Sequence, residues 1–151
     1  PQIVDRVNIP VIGSGGIMDG RGIAAGLMLG AAAVQLGTAF LTCPESSINA
    51  LHRTALLNSN DESTRLTKAF TGKTARSIKN KLLLTMAQQH QTLPFHTQRA
   101  MLRDIQQAAI QQNNAELISL WSGQAARLCR TKPAAELMQE LIKETEKLLT
   151  K

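Results

Sequence analysis

The feature that most constrains this chain is a β-branched run closed by a glycine-rich turn, Ile9-Pro10-Val11-Ile12-Gly13 followed by Ser14-Gly15-Gly16-Ile17-Met18-Asp19. So apolar a run offers water no polar face, which predicts a strand buried on both faces of a parallel sheet. Beyond the turn, Ile23, Leu27 and Ala31, with Ala24 and Met28, recur at helical spacing, and Asp19 is placed to cap that helix. Gly30 ends it, and Ala33-Val34-Gln35-Leu36-Gly37 predicts a second strand. The result is one βαβ unit and an α/β fold class.

The later segments read mainly as helices. Thr42-Cys43-Pro44-Glu45 has the order of a capping box and predicts a helix burying Ile48, Leu51, Ala55 and Leu56. Asn58 to Ser63 is polar and reads as a loop, and Arg65 to Phe70 as a short extended segment before the Thr71-Gly72 turn. Helical patterns follow over 75–90 and 97–112, the second with Met101, Leu102, Ile105 and Ala109 on one face, separated by a break at Leu93-Pro94-Phe95. Leu117 to Trp121 is a short apolar segment, and Ala125 to Cys129 a brief helix. Pro133 starts a final amphipathic helix with the stripe Leu137, Met138, Leu141, Ile142, Leu148 and Leu149. Its Glu140-Lys143 and Glu144-Lys147 pairs read as exposed-face charges.

Composition narrows the function classes. The net charge of +6 suits an anionic ligand, but the basic residues are spread along the chain, with no run that marks a nucleic-acid arm. With three Phe, one Trp and no Tyr, the stacking platforms of single-strand binders are missing too, so we expect no nucleic-acid partner. Cys43 and Cys129 lie far apart without metal-ligand spacing, which argues against a structural zinc site and against a disulfide framework. No stretch approaches the roughly 20 apolar residues of a membrane span. We expect a cytoplasmic protein with no membrane partner and no metal. The chain opens Pro1-Gln2-Ile3-Val4, not with Met, and enters an apolar strand within its first residues, so we expect sequence to precede it.

The glycine turn carries the chemistry. Residues without Cβ let backbone approach a ligand closely and adopt positive φ, so successive amides converge on an anion, and the following helix start adds partial positive charge. A dinucleotide fingerprint fails because Met18 stands where its third glycine belongs, and Gly72-Lys73-Thr74 fails as a P-loop because Thr67 holds the earlier glycine position. By itself such a turn is as often a steric need of tight connection as a ligand cradle. A second small-residue turn, Gly37-Thr38-Ala39, closes the neighbouring strand, and two adjacent turns of this kind form a phosphate pocket such as TIM barrels build after strands seven and eight.

The runs Pro10-Val11-Ile12-Gly13-Ser14-Gly15-Gly16-Ile17 and Val34-Gln35-Leu36-Gly37-Thr38-Ala39-Phe40 resemble strands seven and eight of the nitronate monooxygenase (2-nitropropane dioxygenase) family. Thr42-Cys43-Pro44-Glu45-Ser46, then Phe70-Thr71-Gly72-Lys73-Thr74-Ala75-Arg76 with Asn80, then Leu120-Trp121-Ser122-Gly123-Gln124-Ala125-Ala126, resemble its later segments in the same order. The resemblance covers nearly the whole chain. It implies the C-terminal portion of a TIM (β/α)8 barrel: residues 1–58 as the last two βα units, and residues 59–151 as a mainly helical C-terminal extension. A full barrel takes roughly 250 residues, so the chain is expected to be an incomplete fragment with exposed strand edges.

The same resemblance implies an FMN cofactor. Backbone groups of Gly16 and of Gln35, Leu36, Gly37 and Thr38, with the Thr38 hydroxyl, would hold its phosphate, and Ser14 and Gly15 would shape the turn. The implied reaction is oxidation of alkyl nitronates with dioxygen to carbonyl compounds and nitrite, so the partners are a small-molecule nitronate and dioxygen. The family's catalytic histidine belongs to an earlier strand, and no residue here is assigned a catalytic role. Alternatives are another flavin barrel, either an NADH:quinone reductase or a flavin-type enoyl-acyl-carrier-protein reductase, and a non-catalytic remnant.

Other reactive residues have ordinary readings. His52 flanks an apolar stripe and His90 and His96 flank a loop, which favours structural or solvated roles. For Arg76 and Lys73 an ion pair is preferred over anion capture. Trp121 suits either a pocket edge or core packing, and Cys43 a buried thiol.

Overall fold

The computed structural model describes residues 1–88 and 92–150. His90 therefore lies outside the described residues. The chain packs as two compact units, one formed by Pro1–Ser47 with the segment from Ala125 onward, the other by Ile48–Gln124.

In the first unit, β1 (Ile12–Ser14) and β2 (Ala33–Gln35) pair in parallel, with Ile12 opposite Ala33, Gly13 opposite Val34 and Ser14 opposite Gln35. Helix α1 (Gly20–Met28) makes the crossover. Its sequence holds three glycines at 20, 22 and 26, each costing about 1 kcal/mol relative to alanine, so packing and not propensity sustains it. That packing comes from α6 (Ala134–Leu149), which lies against α1. Buried Leu137 and Leu141 meet Cys43, with Ile23, Leu36 and Phe40 around them. Burying each of the two leucines contributes about 1.5–3 kcal/mol. As expected, the Asp19 carboxylate caps α1, accepting from the amides of Arg21 and Gly22, and Gly30 terminates it at φ +95°. After β2 comes the single turn α2 (Thr38–Leu41).

The second unit contains α3 (Ala50–Leu57), an antiparallel hairpin of β3 (Thr64–Thr67) and β4 (Ala75–Ile78), α4 (Lys81–Ala87) and α5 (Phe95–Gln111). Its core is Ala69, Phe70, Leu82, Leu83 and Leu102, flanked by Met86, Leu117 and Trp121. Asn80 ties the unit together. Its side-chain oxygen accepts from the Leu83 amide at 3.0 Å to cap α4, while its Nδ2 donates to the carbonyls of Ala115 and Ile118 at 3.0 and 2.7 Å.

Four local expectations are corrected. The capping box at Thr42–Glu45 opens no helix, and α3 starts later, capped by Asn49. The would-be capping side chains are engaged elsewhere: Thr42 Oγ1 donates to the Arg130 carbonyl at 2.9 Å, and the Glu45 carboxylate accepts from the Ala134 amide, capping α6. The helix expected over 75–90 begins only at Lys81, because 75–78 pairs with β3 and buried Ser77 Oγ bonds the Leu120 carbonyl at 2.9 Å. The first strand is shorter than expected and not buried on both faces, since a sheet of two strands leaves Ile12 61% exposed. In α5 and α6 the buried stripes run through Gln98, Leu102 and Ala109 and through Leu137, Leu141 and Thr145, while Met101, Ile105, Met138 and Ile142 face outward.

Candidate anion-binding site

Ser14 and Gln35 are the last registered pair of the parallel strands, so the two following turns leave the sheet side by side at its carboxyl edge. This is where open parallel sheets place ligands. The Ser14 hydroxyl donates to the Gln35 carbonyl at 3.2 Å and links the turns. Gly15 and Gly16 then take φ of +108° and +72°, which only glycine adopts without strain. In the second turn the Leu36 side chain packs toward Cys43, Leu137 and Leu141, which anchors the backbone while Gly37 stays exposed and Thr38 begins α2.

The space around these glycines separates cradle from packing requirement. A Cβ added at Gly15, Gly16 or Gly37 would meet no atom within 4 Å. At Gly37, where φ is −112°, neither conformation nor crowding among the described residues calls for glycine. At Gly20 the opposite holds: a Cβ would lie 2.3 Å from the Glu144 Cβ and 2.7 Å from backbone atoms of Glu144 and Thr145. Gly20 is thus a close-packing glycine, whereas the turn glycines are exposed and a Cβ there would stand in open space.

The helix start behaves differently from the sequence expectation. The Gly20 amide donates to Glu144 Oε2 at 2.9 Å, and the Arg21 and Gly22 amides donate to Asp19 Oδ1 at 3.0 and 3.2 Å. Two carboxylates therefore take up the first-turn donors of α1. Arg21 closes on Asp19, with Nε at 2.9 Å, and its guanidinium holds the Asp19 carboxyl below its ordinary pKa against the opposing effect of burial. Arg130 bonds Glu144 at 2.7 Å and Glu140 at 3.2 Å, and Lys132 also pairs with Glu140. Arg130 lowers the pKa of Glu144 in the same way. Glu140 and Glu144 are thus not merely exposed-face charges. The sequence hinted at this only through Gly20, a weak helix former at the first position of α1 that implies a close neighbour.

In the second unit, His52 is buried and its Nε2 lies 2.8 Å from the Trp121 carbonyl; burial lowers its pKa, with that carbonyl opposing. This is a structural histidine donating to backbone. Trp121 stacks edge-on against Phe70 at 5.3 Å and flanks the core, which favours the packing reading. Arg76 donates to the Thr64 hydroxyl at 3.0 Å, and Lys73 sits 5.5 Å from the centre of the Phe95 ring. Neither makes the ion pair expected of it among the described residues. His96 packs edge-on against Phe95. Cys43 is buried, and burial raises the Cys129 thiol pKa. Among the described residues no group of three His, Cys, Asp or Glu is arranged for a metal ion, and no helix is long and apolar enough to cross a membrane.

A parallel strand pair joined by a crossover helix, with two glycine turns at its carboxyl edge, defines an α/β protein. Comparison with known proteins then resolves the family. The nitronate monooxygenase family profile matches residues 1–144, and the chain belongs to that family. Probable nitronate monooxygenases of Staphylococcus aureus strains Newman and JH9 are each 45% identical over 150 residues, covering 99% of this chain and 42% of the relative. The chain thus spans about two fifths of the length of these relatives. Among solved structures it is similar to nitroalkane oxidase from Streptomyces ansochromogenes, with TM-score 0.92 and 38% identity, covering 99% of this chain and 43% of that one. It is also similar to FabK from Thermotoga maritima, with TM-score 0.82 and 30% identity, covering 99% and 48% respectively.

Proposed function

We propose that this chain is the C-terminal portion of a TIM (β/α)8 barrel that binds FMN and oxidises alkyl nitronates with dioxygen to carbonyl compounds and nitrite. Residues 1–58 supply the last two βα units. Residues 59–151 form the mainly helical extension, whose last helix returns onto α1. The observation that carries the reading is the pair of linked turns at Gly15-Gly16 and Gly37, open where a Cβ would otherwise stand. The same turns lie within the span matched to the nitronate monooxygenase family.

In this reading the backbone of Gly16, Gln35, Leu36, Gly37 and Thr38, with the Thr38 hydroxyl, holds the FMN phosphate, while Ser14 and Gly15 set the turn. When bound, the isoalloxazine supplies the redox chemistry. This chain's residues bind and orient: the Ser14–Gln35 bond couples the turns, and Leu36 fixes the second turn to the core formed with α6. Proton abstraction from substrate falls, in this reading, to the family's histidine on an earlier barrel strand, and His52, held by the Trp121 carbonyl, is structural. Free thiols without metal or disulfide spacing suit a reducing compartment, which supports a cytoplasmic enzyme. The stronger likeness to nitroalkane oxidase than to FabK favours nitronate oxidation over another flavin-barrel reaction.

The test is to purify the protein at its natural length, identify the released flavin, and follow oxygen uptake and nitrite formation with propionate 3-nitronate. FMN and nitrite are the expected products of the two assays. NADH consumption without nitronate turnover would replace this reading by the flavin-reductase alternative. The 151-residue chain alone, supplied with FMN, is expected to form no nitrite.

A further inference from the structure

The C-terminal helix reaches back to the amino end of α1, four residues beyond the Gly15-Gly16 turn. Glu144, on α6, bonds the first amide of α1, and its Cβ faces the missing Cβ of Gly20 across a gap that admits no side chain. Asp19 holds the next two amides. Both carboxylates are themselves held by arginines, Asp19 by Arg21 and Glu144 by Arg130. A helix amino end carries about half a positive charge, and here two formal negative charges sit against it. With both carboxylates paired to arginines, what distinguishes that end is that its Gly20, Arg21 and Gly22 amides are already taken. What it supplies is a fixed anchor four residues beyond Gly16.

We propose that α6 positions the anion-binding turn, with Glu144 as a positioning residue that fills the α1 amino end and so leaves phosphate recognition to the Gly15-Gly16 and Gly37-Thr38 turns. The inference rests on the phosphate-site reading above and adds an element distant in sequence. It makes the selectivity for a phosphorylated over a non-phosphorylated flavin depend on a carboxylate that touches neither. The reason is leverage: freeing the Gly20 amide lets the first turn of α1 shift, and Gly16 moves with it, while surfaces remote from the phosphate are untouched.

The experiment titrates the flavin-free protein at its natural length with FMN and with riboflavin, which lacks the phosphate. Wild-type protein should prefer FMN; equal affinity for the two flavins would overturn the phosphate-site reading itself. Given that preference, Glu144→Ala should weaken FMN by about tenfold and leave riboflavin within about twofold. Glu144→Gln, which keeps an acceptor for the Gly20 amide, should retain most of the preference. Should Glu144→Ala not fold, Glu144→Asp draws the carboxylate back by one methylene while keeping its charge, and the same selective loss is expected. An unchanged FMN-to-riboflavin ratio in a folded Ala or Asp variant overturns the inference, as does an equal loss of both flavins.

Discussion

Gly37→Ala separates ligand space from packing space most cleanly. Gly37 has φ −112° and ψ −69°, a conformation alanine adopts freely, and its added Cβ meets nothing within 4 Å. Replacing glycine at such a site restricts the unfolded chain, so the flavin-free protein should be unchanged or more stable by about 0.4–1 kcal/mol. A phosphate seated on this turn would meet the new methyl. Losing one hydrogen bond to a charged group costs about 1.5–3 kcal/mol, and each 1.4 kcal/mol is about tenfold, so FMN affinity should fall about tenfold to a hundredfold. Gly20→Ala is the counterpart, since its Cβ would lie 2.3 Å from the Glu144 Cβ. Overpacking there should destabilise the protein by about 1–3 kcal/mol. Thermal melts of the flavin-free variants and fluorimetric FMN titrations measure both quantities. Wild-type FMN affinity in Gly37→Ala, or a melting loss equal to that of Gly20→Ala, would refute the argument.

Four further outcomes follow from the hydrogen-bond and charge networks. His52 has a pKa held below its ordinary 6.5 by burial, so its folded form resists protonation; the stability it contributes is present above that value and is lost as pH falls below it. Melting temperatures at pH 7.5 and 5.5 should show a smaller acid loss in His52→Gln than in wild type. Asn80→Ala removes the α4 cap and the donor to two carbonyls, and should cost about 2–3 kcal/mol in urea unfolding. Arg130→Ala should cost about 1 kcal/mol or less, shrinking in high salt. Because the pKa values of Asp19, Glu140 and Glu144 are lowered in the fold, the stability they contribute is present above their ordinary values of 3.8 and 4.5 and is lost as pH falls through the lowered ones.

The sequence by itself determined the βαβ unit, the cap at Asp19, the helix end at Gly30 and the positive-φ turn at Gly15-Gly16. These depend on neighbours a few residues apart: β-branched runs, a short polar cap and residues without Cβ. The final helix after Pro133 was legible for the same reason, although which of its apolar residues are buried was not. Tertiary structure decided everything that rests on a distant partner. Thr42 and Glu45 have the spacing of a capping box, yet both serve the C-terminal segment near Arg130 and Ala134, a competition no local pattern records. The segment 75–78 became a strand because β3 and the chain around Leu120 were there to pair with it. Glu144 looked like one member of a surface i, i+3 pair, and only the approach of α6 to Gly20 turned it into the cap of a helix that begins 124 residues earlier.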